Sequence, residues 1–145
     1  MVQASVGESS VPGITILGNK GSAYQPGVCN IGPAEIARRR RAGHVGLGAT
    51  VGLWGGLLAV GAPPPARLLV ALPAALAASG YLQARLRFCA GFGSAGVFNF
   101  GSLGETHQVQ DDAARARDRA RATQIGLASL ASGLLVGALA VLLPR

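Results

Sequence analysis

Charge and apolarity separate sharply along this chain. Four consecutive arginines, Arg38, Arg39, Arg40 and Arg41, are followed by residues 42–66, which carry no formal charge and are rich in Leu, Val, Gly and Ala. Guanidinium groups need water or anionic headgroups, whereas the following run avoids water, so the junction fits a membrane surface. A first membrane span is predicted over residues 43–62, whose length at ~1.5 Å per residue matches the ~30 Å of a hydrocarbon core. Its helix is expected to start upstream, at Gly32-Pro33-Ala34-Glu35. Proline suits a first helical turn, and an acid suits the positive helix end.

The prolines Pro63, Pro64 and Pro65 cannot continue that helix and predict a tight turn. A second span is expected over 66–83, with Arg67 snorkelling at its outer edge and Pro73 kinking it. Arg85 and Arg87 close it. Residues 88–104 are uncharged but too rich in glycine for a good helix. They predict an interfacial loop whose phenylalanines, Phe88, Phe92, Phe98 and Phe100, dip toward headgroups. Ser102-x-x-Glu105 matches a capping box, so a charged, solvated helix is expected from Thr106, supported by Asp111 and Arg115 at i, i+4. It should lead unbroken into a third span at 122–143.

The predicted organisation is therefore a polar arm (1–32), a helical hairpin of two spans (33–87), an interfacial loop (88–104) and a charged helix entering the third span (105–145). The fold class is all-α, an integral membrane protein of three transmembrane helices. The arm is Gly, Ser and Pro punctuated, with one short apolar patch at 14–17, and is expected to order only on a partner. The N-terminus lacks the basic and apolar regions of a secretory signal, so the spans themselves are expected to direct insertion.

Composition agrees with a bilayer environment. Half of the 145 residues are hydrophobic, only 13% are charged, and the mean hydropathy is +0.40; soluble domains carry about 25% charged residues. The net charge of +7 flanks apolar runs, which suits anionic lipid and orientation control, not nucleic acid. Lys20, Arg38–Arg41, Arg85, Arg87, Arg115, Arg117, Arg119 and Arg121 fall on one side of the three spans, against Arg67 and Arg145 on the other. The positive-inside rule then makes the N-terminus cytoplasmic and the C-terminus external. Arginine outnumbers lysine in the manner of a GC-rich genome, so the expected location is the plasma (inner) membrane of a bacterium.

Helices in lipid gain little from apolar burial against each other, so close backbone approach decides their packing. Gly48, Gly52 and Gly56 form one small-residue stripe on the first span, and Ser129, Gly133 and Gly137 form another on the third. The second offers Ala74, Ala78 and Ser79. These stripes predict a tight three-helix bundle, or docking onto another protein.

Candidate chemistry is sparse. Cys29 and Cys89 both fall on the predicted cytoplasmic side, each beside glycine. As structural residues they are two small thiols; as chemical ones they form a dithiol or, with His44 or His107, a metal site. A straight helix from Pro33 would lift Cys29 on the order of 10 Å above Cys89. The two meet only if the arm folds back or the arginine segment lies flat. His44, one turn from Gly48, has room for a pigment ligand but defaults to the headgroup level. Trp54, in mid-span, is expected to pack on a partner helix, and Thr50 and Ser79 to bond to their own helices.

No P-loop, GxSxG or HExxH occurs, and Gly91-x-Gly93-x-x-Gly96 has neither the strand before it nor the helix-forming run after it that a dinucleotide fingerprint needs. The six acids are dispersed and absent from the spans, which argues against a transporter and an enzyme alike. No cofactor is indicated. The expected function is a non-enzymatic accessory or structural subunit of a larger membrane complex, with lipids and other membrane subunits as partners. Arg38–Arg41, Arg85 and Arg87 are the expected headgroup contacts. The alternative is a redox or metal-handling site built on Cys29 and Cys89; a third option is lipid-binding scaffolding through the arginines.

Overall fold

A computed structural model describes residues 24–143. The apolar patch at 14–17, Lys20 and the final Pro144 and Arg145 lie outside that range. The chain is mostly helical: α1 (Pro33–Ala59), a 3₁₀ helix (Pro64–Val70), α2 (Ala71–Leu86), the short α3 (Ala90–Ala95) and α4 (Asp112–Leu142). Two-residue strands β1 (Val97–Phe98) and β2 (His107–Gln108) pair antiparallel between α3 and α4. Three helical segments, Pro33–Ala59, Pro64–Leu86 and Asp112–Leu142, are long and apolar enough to cross a membrane.

The helix boundaries follow local chemistry. α1 starts with Pro33 in its first turn after an extended Gly32. It ends in a Schellman pattern, with the Gly61 amide donating to the Leu58 carbonyl (3.1 Å) and Ala62 to Leu57 (2.9 Å). Gly61 takes φ 66°, a conformation glycine adopts without steric penalty. The prolines that follow do not make a simple turn: Pro63 caps the 3₁₀ segment, and Pro64 occupies its first position. Pro73 then falls in the first turn of α2. The winding changes from 3₁₀ to α at Ala71, two residues before it.

The predicted charged helix forms and runs unbroken into the third apolar segment, but it starts at Asp112 and not at Thr106. Ser102 and Glu105 do bond, through the Ser102 amide to Glu105 Oε2 (3.1 Å) and the Glu105 amide to the Ser102 carbonyl (3.2 Å), but they close a turn. Residues 107–108 are drawn into the β pair, and Val109 is buried beside Tyr24 and Ala114. Asp111 is the true cap, accepting from the Ala113 and Ala114 amides at 3.3 and 3.0 Å. Arg115 pairs with Asp112 and not with Asp111.

α2 is the central helix. α1 and α4 both pack on it, and contact between α1 and α4 is slight or absent, so α2 lies between the other two long helices. Small residues make each contact. A Cβ at Gly80 would lie 2.5 Å from the Gly43 amide nitrogen and 2.8 Å from the Arg39 carbonyl, and one at Gly46 would lie 2.7 Å from the Ala77 nitrogen. On the other face, Gly133 would meet the Ala71 carbonyl at 2.5 Å and Gly137 the Ala71 Cβ at 2.9 Å. Adding one methyl group at these points forces backbones apart.

Both hydrophobic clusters sit at the arginine-rich end: Tyr24, Val109 and Ala114 with Phe98 and Phe100, and Phe88, Ala122 and Ile125 with Leu82, Leu86 and Ala90. Of the phenylalanines in residues 88–104, Phe88 is fully buried, whereas Phe92, Phe98 and Phe100 are half-buried. Toward the opposite end the helices are bare. Val51, Leu72, Leu76, Leu134, Leu139 and Leu142 are exposed along their length. Arg67 is buried there, its Nη1 donating to the Leu143 carbonyl at 3.0 Å, so it ties the 3₁₀ helix to the end of α4 instead of snorkelling.

The contrast between closed and open glycines is measurable. Gly80→Ala should destabilise the fold by about 1–3 kcal/mol, as overpacked sites do, even though alanine favours a helix by ~1 kcal/mol. Gly52→Ala, with nothing within 4 Å of its Cβ, should keep only the propensity gain. Thermal unfolding in detergent distinguishes the two.

Candidate functional site

The polar groups of the chain converge at the arginine-rich end, where residues 24–32 fold back over the loop between α2 and α4. α1 stands as a straight continuation from Pro33, and the arm reverses to meet the loop. Asn30, fully buried, makes the junction. Its side-chain amide donates to the Cys89 carbonyl at 3.1 Å and accepts from the Cys89 amide at 2.7 Å, as a neighbouring strand would. Its backbone donates to the Arg87 carbonyl (3.1 Å) and accepts from the Asn99 amide (3.0 Å). The Gly32 amide then donates to the Asn99 carbonyl at 2.7 Å. Gly32 is required here, because a Cβ would fall 2.9 Å from the Phe100 Cα.

A second clasp joins the arm to α4. Asp118 is fully buried. Its carboxylate accepts from the Tyr24 hydroxyl at 2.8 Å and the Gly27 amide at 2.7 Å. The expectation that the 105–121 charges are solvated all round fails at this residue. Burial pushes the Tyr24 phenol above its ordinary value, and the hydrogen bond to Asp118 and its negative charge push it further.

The two cysteine segments are thus adjacent, but the thiols turn to different partners. Cys29 Sγ is directed at the Ile31 carbonyl (3.8 Å). Burial raises its pKa from the ordinary value, while the nearby Arg87 charge pulls it down. Cys89 caps α3; its Sγ accepts from Arg39 Nη2 at 2.9 Å and from the Phe92 amide at 3.5 Å. Both thiols are free. His44 lies elsewhere, on the exposed side of α1, with Nδ1 2.7 Å from the Tyr81 hydroxyl and its ring edge-on to Tyr81. His107 stacks near Phe98 in the strand pair. Among the described residues no group of three or more His, Cys, Asp or Glu is placed to hold a metal ion. Cys29, Cys89 and His44 therefore do not assemble into a ligand set.

The arginine run divides by helix geometry. Arg39 points inward: it lies 3.7 Å from Glu35, reaches Cys89, and places its guanidinium 5.9 Å from the Phe92 ring centroid. It is held by the protein. Glu35 is buried, and its charge is met by Arg38 and Arg39 at 3.8 and 3.7 Å. Arg40 and Arg41 face out. Arg85 and Arg87 are also exposed, and Arg87 occupies the left-handed cap of α2 at φ 53°, a position where glycine is usual. Arg40, Arg85 and Arg87 line one cleft between α1 and α2.

The two predicted small-residue stripes are placed differently. Ser129 and Gly133 are buried, as is Gly137, and the two glycines lie against Ala71 and Ala75 of α2. Gly48, Gly52 and Gly56 have nothing within 4 Å of an added Cβ. Of the remaining predicted polar contacts, Thr50 Oγ1 bonds back to the Gly46 carbonyl at 2.7 Å and Ser79 Oγ accepts from Gln83 within α2 at 2.7 Å. No protein-family model, curated protein or solved structure matches the chain.

Sequence reasoning passed over Tyr24, Asn30, Asn99 and Asp118, the residues that close this end. The arm clasp can be tested directly. Asp118→Ala should cost about 1–3 kcal/mol through the unpaired Tyr24 and Gly27 donors and should speed hydrogen exchange at the Gly27 amide. Because the folded state holds the Tyr24 proton after an unfolded phenol, near ~10, begins to lose it, the clasp is fully stabilising below that pH and weakens above it. Tyr24→Phe should flatten the alkaline fall in stability, followed by unfolding midpoints across a pH series.

Proposed function

We propose that this chain is a non-enzymatic integral membrane protein acting as an accessory or structural subunit of a larger membrane complex. It sits in the plasma (inner) membrane with its N-terminus and its arginine-rich end cytoplasmic and its C-terminus outside. The observation that carries the subunit reading is the open glycine face of α1. In the same chain, Gly133 and Gly137 of α4 admit a neighbouring helix to backbone contact, whereas Gly48, Gly52, Gly55 and Gly56 admit one and have none among the described residues. A transmembrane helix of another protein, with its own small residues, fits that face by the packing that joins α4 to α2.

The charge distribution supports the membrane setting. The antiparallel contacts of Gly43 with Gly80, and of Gly133 with Ala75, bring the last charged residue before each apolar run, Arg41, Arg85 and Arg121, within about 8 Å of one level at ~1.5 Å per residue. One interface plane then serves all three helices, with the folded polar cap on its wet side. The exposed leucines beyond that level suit lipid, where the same surface in water would invite aggregation.

Purification in mild detergent with mass spectrometry tests the subunit reading. Stoichiometric co-purifying membrane proteins are expected, and Gly52→Leu should release them without lowering the unfolding temperature of this chain. A wild-type chain recovered alone would overturn the assignment. For orientation, a reporter inserted in the 105–111 loop should give a cytoplasmic signal; an external signal would reject the topology.

A further inference from the structure

The basic cleft of α1 and α2 has a property the subunit reading does not use. Among the described residues, every carboxylate is already engaged. Glu35 faces Arg38 and Arg39; Asp112 pairs with Arg115; Asp118 holds Tyr24 and Gly27; Asp111 caps α4; and Glu105 takes the Ser102 amide. Arg40, Arg85 and Arg87 form no ion pair among the described residues, yet they line one cleft of about 600 Å³. Arg40 and Arg85 also line an adjoining hollow of about 460 Å³ with His44 and Tyr81. Three unpaired guanidiniums around one concavity call for an external anion. Their planar forks match the oxygens of a phosphate group.

We infer that this cleft binds the phosphate headgroup of one anionic phospholipid. The inference rests on the membrane setting proposed above, but not on the partner helix. Three features favour a lipid over a free phosphate. Arg40 and Arg85 stand at the level where the charges of all three helices stop. The adjoining hollow extends the site past His44 and Tyr81 toward the apolar part of α1 and α2. Beyond it, Leu47 and Val51 continue the His44 face of α1 and are exposed, an apolar track for an acyl chain at the i+3 and i+7 positions. Arg40 and Arg85 grip the phosphate between the helices. Arg87 closes the cleft from the left-handed cap of α2, and the His44–Tyr81 pair supplies hydrogen-bonding groups for the glycerol region.

Native mass spectrometry of the delipidated protein in detergent provides the test, with phosphatidylglycerol, phosphatidylcholine and inorganic phosphate added separately. One phosphatidylglycerol per chain is expected, at least about tenfold preferred over phosphatidylcholine, and inorganic phosphate should not displace it. Arg40→Gln with Arg85→Gln should weaken phosphatidylglycerol binding by at least about tenfold, given the ~1 kcal/mol carried by each interfacial arginine. Arg117→Gln with Arg119→Gln removes the same charge elsewhere and should leave binding within about twofold; all these side chains are exposed, and circular dichroism checks the fold. Equal losses in the two double variants would mean diffuse attraction and overturn the site. So would equal binding of phosphatidylcholine, or displacement by inorganic phosphate, which would make it a soluble-anion site. A chain recovered from membranes without detergent overturns the membrane setting and the lipid site together; one that needs detergent but shows no lipid preference overturns the cleft alone.

Discussion

Close backbone contact on both sides of α2 is the constraint from which the rest of this structure follows. Gly80 meets Gly43 and the Arg39 carbonyl on one face, and Ala71 and Ala75 receive Gly133 and Gly137 on the other. Apolar helices gain little by hiding side chains from a lipid-like surrounding, so their association rests on van der Waals packing at short range. Short range demands small residues, and small residues at two faces make α2 a hub. The place of α2 between the other two long helices, the registers that align their charges, and the cleft between α1 and α2 all result from those few positions. The glycine face left open on α1 is the same device without its counterpart.

The other organising force is the need to satisfy polar backbone at the wet end. The loop and arm cannot form long helices, given their glycines, so their amides and carbonyls must find other partners. Asn30 and Asn99 answer this by substituting side-chain amides for a strand's ladder, and Asp118 by receiving a backbone amide and a phenol. These bonds are buried, so losing one leaves an unpaired group and costs more than the bond contributes. The cap is consequently well bonded where a Gly-rich sequence of this kind suggests looseness.

Much of the helical layout was legible in the sequence, and its errors have physical causes. The Gly32–Pro33 start and the passage of the helix through the arginines into an apolar run follow from local rules that no tertiary contact overrides. Stripe selection on α1 did not. The face that meets α2 is Glu35, Arg39, Gly43 and Gly46, spaced at helical intervals, but in a chain with 22 glycines a GxxxG pattern is too common to choose between faces. Two charged residues on the correct stripe also disguised it. Asp118 was misjudged because four arginines surround it in sequence, while its partner Tyr24 lies 94 residues away. The start of α4 was placed too early because Ser102 and Glu105 do make their local bond, and only the long-range burial of Val109 shows that the helix must wait for Asp111. The meeting of the Cys29 and Cys89 segments depended on an arm whose anchors are asparagines, residues whose pairing cannot be read from their neighbours.

A four-arginine run looks uniform, yet ~100° of helical rotation per residue gives its members different work. Arg39 lands on the face toward α2 and α3, where a buried Glu35 and the Cys89 sulfur receive it. Arg40 lands one step round, where it pairs with no carboxylate among the described residues and the concavity shared with Arg85 opens. The inward arginine makes the outward ones consequential: Glu35 is shared by Arg38 and Arg39, and Arg40 and Arg41 form no ion pair among the described residues. A sequence with more acids could neutralise its own rim and would carry less positive potential at the interface. With its described carboxylates committed to caps and clasps, this chain keeps that potential, and the balance of charge must be completed by something outside it.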